Sequence, residues 1–330
     1  MSQTERIGVI DVGGGLRSAY GAGVLDYCLD NNIHFDYALG VSAGAANITS
    51  YLAHQRGRSL RFYTKYIHRK QYMSVENYLR TGSYLGLDYI YGTLMNEDGE
   101  DPLDYNALVH SYVPYRIAVT DALSGRPRFL GPESMSLNHY DALKATACLP
   151  VLDKPYPLDG RPYFDGTISD PIPLRQAFAD GCTKVVVILT RPRDFYRNPD
   201  KDILSSMMLA PSYPNAAHAL LNRAHTYNYE LGLAKRLELQ GKVLIIAPKT
   251  IRGMSTLTKN SDAIHNLYTR GYNDALALRS WFAPLTRNQS KRRMRSQKCA
   301  ASSSSCVITS THTPRSASRR NSSPTCIMCV

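Results

Sequence analysis

No stretch of this 330-residue chain approaches the roughly 20 consecutive apolar residues that a helical membrane span needs, which excludes a helix-spanning receptor or channel. Met1 to Arg6 carries no signal-peptide pattern, so cytoplasmic residence is the expectation. No internal repeat is apparent. Cysteine is too sparse and too irregular for a disulfide framework: there are seven, an odd number, and Cys28, Cys148 and Cys182 stand singly among apolar or small residues, as buried thiols do. Cys326 and Cys329 have the two-residue spacing of metal and redox sites, but Cys299 and Cys306 supply no matching pair, so no metal is expected. The last residues form no prenylation box, because Cys329 is second from the end.

Acidic residues are wholly missing from Leu285 to Val330, where nine Lys or Arg account for nine of the formal +12 charge. This divides the chain into a domain at 1–284 and a basic, serine-rich segment at 285–330 that is expected to be disordered. The segment reads as a chain end without a selected role rather than as a nucleic-acid or membrane ligand, and no nucleic-acid partner is expected.

What is present is a regular alternation. Strand-like runs at Ile7 to Val12, Phe35 to Val41, Tyr115 to Thr120, Arg128 to Leu130, Val185 to Thr190 and Lys242 to Ala247 are mostly separated by helical patterns. The pattern predicts an α/β fold, a three-layer sandwich with a mainly parallel central sheet and helices on both faces.

Three segments carry chemistry. Gly40-Val41-Ser42-Ala43-Gly44 lies between a short apolar run and a helix-like run, the context of a nucleophile elbow, where glycines at 40 and 44 let strand and helix approach. Gly13-Gly14-Gly15-Leu16-Arg17 follows the first strand and presents unobstructed backbone N–H groups at a helix start, a place for an anion. That anion could be a phosphate or the oxyanion of acyl transfer. Ser18 stands where the dinucleotide fingerprint requires its third glycine, and no Walker lysine follows, which favours the oxyanion. Asp165-Gly166 ends an apolar pair and precedes a proline-punctuated loop, a context that suits a turn or a helix cap as well as a catalytic acid.

In order and separation these segments resemble the patatin-like phospholipase family, bacterial members in particular, over about residues 5–284. Val119-Thr120-Asp121, Ala145 to Pro150 and Ser169-Asp170-Pro171-Ile172-Pro173 add to the likeness. The resemblance implies a Ser42–Asp165 dyad without histidine, an oxyanion hole from Gly13, Gly14, Gly15, Leu16 and Arg17, and an acyl-enzyme intermediate. It also implies a phospholipid or other lipid ester as substrate, with no cofactor. Ser18, where many members have glycine, departs from the family pattern.

Three other readings are kept: a lipid-binding pseudoenzyme, a nucleotide- or nucleic-acid-binding protein that uses the Gly13 to Gly15 loop or the basic segment, and, ranked well below the dyad, an α/β-hydrolase drawing its base from His218, His225 or His265. Between Arg56 and Arg80, seven Lys or Arg are interleaved with Tyr63, Tyr66, Tyr72 and Tyr78. This suits either a solvated helical face with tyrosines on the core or a peripheral contact with an anionic membrane, and the former is favoured. Tyr84, Tyr89 and Tyr91 are expected to help cover the cleft.

Overall fold

The computed structural model describes residues 5–282. The expected disorder of the segment at 285–330, and its four cysteines, lie outside them.

Strands β1 (Ile7–Asp11), β2 (Tyr37–Val41), β3 (Tyr115–Asp121), β4 (Pro127–Leu130), β5 (Tyr156–Leu158), β6 (Arg161–Asp165), β7 (Lys184–Ile188) and β8 (Val243–Ile246) form one sheet. Its order is β5-β6-β3-β2-β1-β7-β8, with β4 also on β3. The β1–β2, β2–β3, β1–β7 and β7–β8 pairs are parallel, while β4, β5 and β6 build an antiparallel corner around β3.

Strand alternation sorts the core into two layers. Val9, Ala38, Val186 and Ile188 point into one, with Tyr20 and Ile48 from helices α1 (Ala19–Asp30) and α2 (Ala43–Leu52) and with Ile264 and Leu267 from the helix Ser261–Asp274. Ile10, Leu39, Val185 and Val187 point into the other, against Leu174, Ala177, Leu231 and Ala234. Those four lie on two helices, Leu174–Ala179 and Pro214–Leu239. Helices therefore cover both faces, as the alternation predicted.

The chain leaves β1 toward β2 on one side, and β7 returns on the other. In open α/β sheets such a reversal opens a crevice beyond the carboxyl ends of the strands. The glycine loop after β1, Ser42 after β2 and Thr190-Arg191 after β7 all lie there.

Candidate active site

Gly13, Gly14 and Gly15 have φ of 66°, 133° and 59°, a succession that residues with a β-carbon adopt only under strain. A Cβ on Gly14 would lie 2.6 Å from Thr190 Oγ1 and 2.9 Å from an Arg17 nitrogen. The loop is pinned at both ends. The Gly13 N–H donates to Asp11 Oδ1 at 3.0 Å, the Thr190 hydroxyl donates to the Gly13 carbonyl, and the Leu16 N–H donates to the Thr256 carbonyl at 3.0 Å. Of the expected oxyanion donors, Gly13 and Leu16 are thus already engaged. The N–H groups of Gly14 and Gly15 have no hydrogen-bond partner among the described residues.

Ser42 precedes α2 with φ 55° and ψ −135°, a backbone conformation rare for a residue with a side chain. The elbow is held by its surroundings: the Ser42 N–H donates to Thr146 Oγ1 at 2.8 Å, and the same hydroxyl donates to the Ala118 carbonyl at 2.5 Å. A β-carbon on Gly44 would strike Gly13 N at 2.8 Å as well as the Asp11 carbonyl, and one on Gly40 would overlap the backbone of Ala45. Neither position has room for a side chain.

Asp165 ends β6 opposite Val119 and is 1% exposed. Its Oδ1 accepts from the Thr167 N–H at 2.8 Å and the Thr167 hydroxyl at 2.7 Å, while Oδ2 has no hydrogen-bond partner among the described residues. Burial raises its pKa above 3.8, and the nearby Ser42 hydroxyl, the Thr167 bonds and the Arg223 charge oppose that rise.

These groups meet in a polar cavity of about 150 Å³ lined by Gly13, Gly14, Gly15, Arg17, Ser42 and Asp165, together with Arg191, Arg197, Arg223 and Tyr227. On the other side of Ser42 is an apolar cavity whose walls include Phe62, Tyr63, Met73, Leu87, Ile90 and Tyr91. Gly15, Ser42, Leu149 and Thr256 line both cavities. Tyr63, Tyr66 and Tyr72 are buried, as the core-packing reading of the basic stretch expects, while Tyr78 is exposed. Of the residues expected to cover the cleft, Tyr91 lines the apolar cavity, and Tyr84 and Tyr89 pack partly buried against the core.

His218, His225 and His265 are exposed, and none lines either cavity. Among the described residues no three His, Cys, Asp or Glu side chains form a group that could hold a metal. No described helix is long and apolar enough to cross a membrane.

Three contributors were not singled out from the sequence: Asp11, Thr146 and Thr256. Asp11 accepts from Asn47 Nδ2 at 2.8 Å as well as from Gly13, and Asn47 in turn accepts from the Tyr63 hydroxyl at 2.8 Å. Burial pushes Asp11 up to about 6 against those hydrogen bonds. An acid inside an otherwise apolar strand was a visible signal for it. Thr256, from the loop before the helix Ser261–Asp274, accepts from Arg17 Nη1 at 2.9 Å, and nothing local in the sequence marked it.

A serine on a strained strand-to-helix turn, a buried carboxylate and a positive-φ glycine loop thus line one cavity of an α/β fold. Residues 12–178, about half of the chain, match the family model described as patatin-like phospholipase, and the chain belongs to that family. Residues 213–280 match a second model, a domain of unknown function called DUF6363. The uncharacterized protein YjjU of Escherichia coli strain K12 is 28% identical over 202 residues, 60% of this chain and 55% of that protein. The match thus spans about half the length of this relative. Among solved structures, VipD from Legionella pneumophila superposes with a TM-score of 0.41 at 12% identity, covering 83% of this chain and 67% of that one.

Proposed function

We propose that the chain is a serine acyl hydrolase of phospholipids or other lipid esters, working through Ser42 and Asp165. The observation that carries this reading is the convergence of Ser42, Asp165 and the Gly13–Gly15 loop on one cavity, with an apolar cavity on the other side of the same serine. Ser42 Oγ attacks the ester carbonyl carbon while Asp165 takes the hydroxyl proton. The carbonyl oxygen becomes an oxyanion held by the N–H groups of Gly14 and Gly15. Collapse expels the alcohol, which takes the proton back from Asp165 and leaves the acyl group on Ser42. Water then attacks the acyl-enzyme, giving its proton to Asp165, and the fatty acid leaves as Ser42 is reprotonated.

An ordinary carboxylate is a weak base toward an alcohol. Burial of Asp165 moves it in the useful direction, and preorganised donors are worth about 2.7 to 4 kcal/mol of barrier each. The apolar cavity suits an acyl chain, and the polar one suits the alcohol portion of the substrate and the attacking water.

The test is labelling with a fluorophosphonate probe followed by peptide mapping, alongside hydrolysis of a short-chain chromogenic ester. Label on Ser42, with loss of both label and hydrolysis in Ser42→Ala, is the expected result. Modification elsewhere overturns the assignment of the nucleophile. A pocket that binds lipid without cleaving it is the alternative that the same assay reads. Equal hydrolysis by wild type and Ser42→Ala would mean that the pocket binds lipid without cleaving it.

A further inference from the structure

The polar cavity holds more positive charge than the proposed reaction uses. Four guanidinium groups line it, from Arg17, Arg191, Arg197 and Arg223. Arg197 and Arg223 share one carboxylate: Arg197 Nη2 is 3.0 Å from Asp202 Oδ2, and Arg223 Nε lies 3.0 Å from the same oxygen. Arg17 and Arg191 have no acidic partner among the described residues.

Arg17 is the informative member of the cluster. It is 6% exposed, its Nη1 donates to a threonine hydroxyl, and its Nε is buried without any hydrogen-bond partner. Burying an unpaired guanidinium is costly unless an anion completes it. Burial and the charges of Arg191 and Arg197 draw its pKa down to about 9, so it is still a cation at neutral pH. Arg191 lies half-buried with its guanidinium 4.2 Å from the Phe195 ring centroid, an arrangement that leaves its edge free to donate. Apart from Asp165, no carboxylate lines this cavity. A quaternary or primary ammonium on a headgroup would therefore meet four arginines and no carboxylate other than that of Asp165.

We propose that the polar cavity is a headgroup subsite in which Arg17, Arg191, Arg197 and Arg223 bind the phosphate of an anionic lipid whose ester carbonyl lies at Ser42. The subsite selects lipids with a net negative headgroup over zwitterionic and neutral ones. Arg223 and Tyr227 come from the C-terminal third of the chain, within residues 213–280, which gives that segment a role in substrate choice. This inference rests on the acyl-hydrolase reading and adds the substrate class to it.

The test compares kcat/KM of the full chain on three monoacyl substrates with the same acyl chain: a lysophosphatidic acid, a lysophosphatidylcholine and a monoacylglycerol. A charge-assisted hydrogen bond of about 1.5 to 3 kcal/mol corresponds to roughly 10- to 100-fold, so a preference of at least tenfold for the phosphomonoester is expected. Arg191→Gln should lower that preference about tenfold and Arg191→Lys should restore part of it. Equal kcat/KM on the three substrates overturns the proposal while leaving the hydrolase reading intact.

Calorimetry of Ser42→Ala with glycerol 3-phosphate and with inorganic phosphate reads the subsite without turnover. Glycerol 3-phosphate should bind more tightly, and both should weaken when Arg191→Gln is added. Binding indifferent to Arg191 overturns the proposal, and so does tighter binding of inorganic phosphate without lipid preference, which would make this a site for the free anion. Arg191-dependent binding with no hydrolysis of any ester sinks the hydrolase reading and, with it, the assignment of the anion as a headgroup.

Discussion

Thr146→Val is the most searching test of the elbow, because it changes one hydroxyl to a methyl of nearly the same shape. In the native fold that hydroxyl accepts from the Ser42 N–H at 2.8 Å and donates to the Ala118 carbonyl at 2.5 Å, linking Ser42 to β3. The variant leaves a buried N–H without an acceptor, which costs about 1 to 3 kcal/mol. It does so at a residue whose φ of 55° already carries strain of about 1 to 3 kcal/mol and persists only while its surroundings enforce it. About 2 kcal/mol of destabilisation should lower Tm by roughly 4 to 8 °C in a domain of this size. If most of that loss is borne by the elbow, kcat on a short-chain ester should fall about 10- to 100-fold with little change in KM. Thr146→Ser keeps the hydroxyl and should stay within a fewfold of wild type. Wild-type kcat and fluorophosphonate labelling rate in Thr146→Val would refute the argument that this bond holds Ser42 in its reactive conformation.

Two further predictions come from the buried carboxylate. In the proposed mechanism Asp165 is a base only when ionised, and burial raises its pKa, so kcat/KM should fall in acid through an apparent pKa above the ordinary 3.8; a limb at or below that value in a pH-rate profile would contradict the assignment. A raised folded pKa means that the folded state holds the proton more tightly than the unfolded state, so the wild type loses stability as pH rises through that pKa. Asp165→Asn should therefore abolish hydrolysis yet raise Tm at pH 8 relative to wild type, an advantage that shrinks toward pH 4. Thermal melts showing a lower Tm at pH 8 would count against it.

The parallel part of the fold was legible because its strands are buried on both faces and read as short apolar runs. The runs at Ile7 to Val12 and Val185 to Thr190 meet as the neighbours β1 and β7. The antiparallel corner was less visible. β5 is three residues long, contains Pro157 opposite Pro162 and is only partly buried, so neither apolar alternation nor length marks it. Its turn did carry a signal: Asp159-Gly160, with φ of 49° and 73°, is a two-residue hairpin connection of the kind that Asp-Gly favours. Ser42 was singled out from a local motif, because an elbow is a local geometry, whereas the context of Asp165 suits a turn or cap equally and only the family resemblance of three segments joined it to Ser42. Arg191, Arg197 and Arg223 were not singled out, because surface arginines are common and only tertiary structure brings these three to Arg17.

Three unfavourable local choices meet around this one cavity. Ser42 holds a left-handed backbone, Asp165 is desolvated with one oxygen unpartnered, and Arg17 buries an unsatisfied Nε. Each costs on the order of 1 to 3 kcal/mol, and together they approach a sizeable fraction of a typical domain's net stability. Any one of them has a less costly alternative: glycine at 42, asparagine at 165, an apolar side chain at 17. The proposed reaction gives all three a use around a single cavity: a ligand that brings an electrophilic carbonyl to the serine, a developing oxyanion to the N–H groups of Gly14 and Gly15 and an anion to the arginine would relieve the last of these costs on binding and use the first two in the reaction.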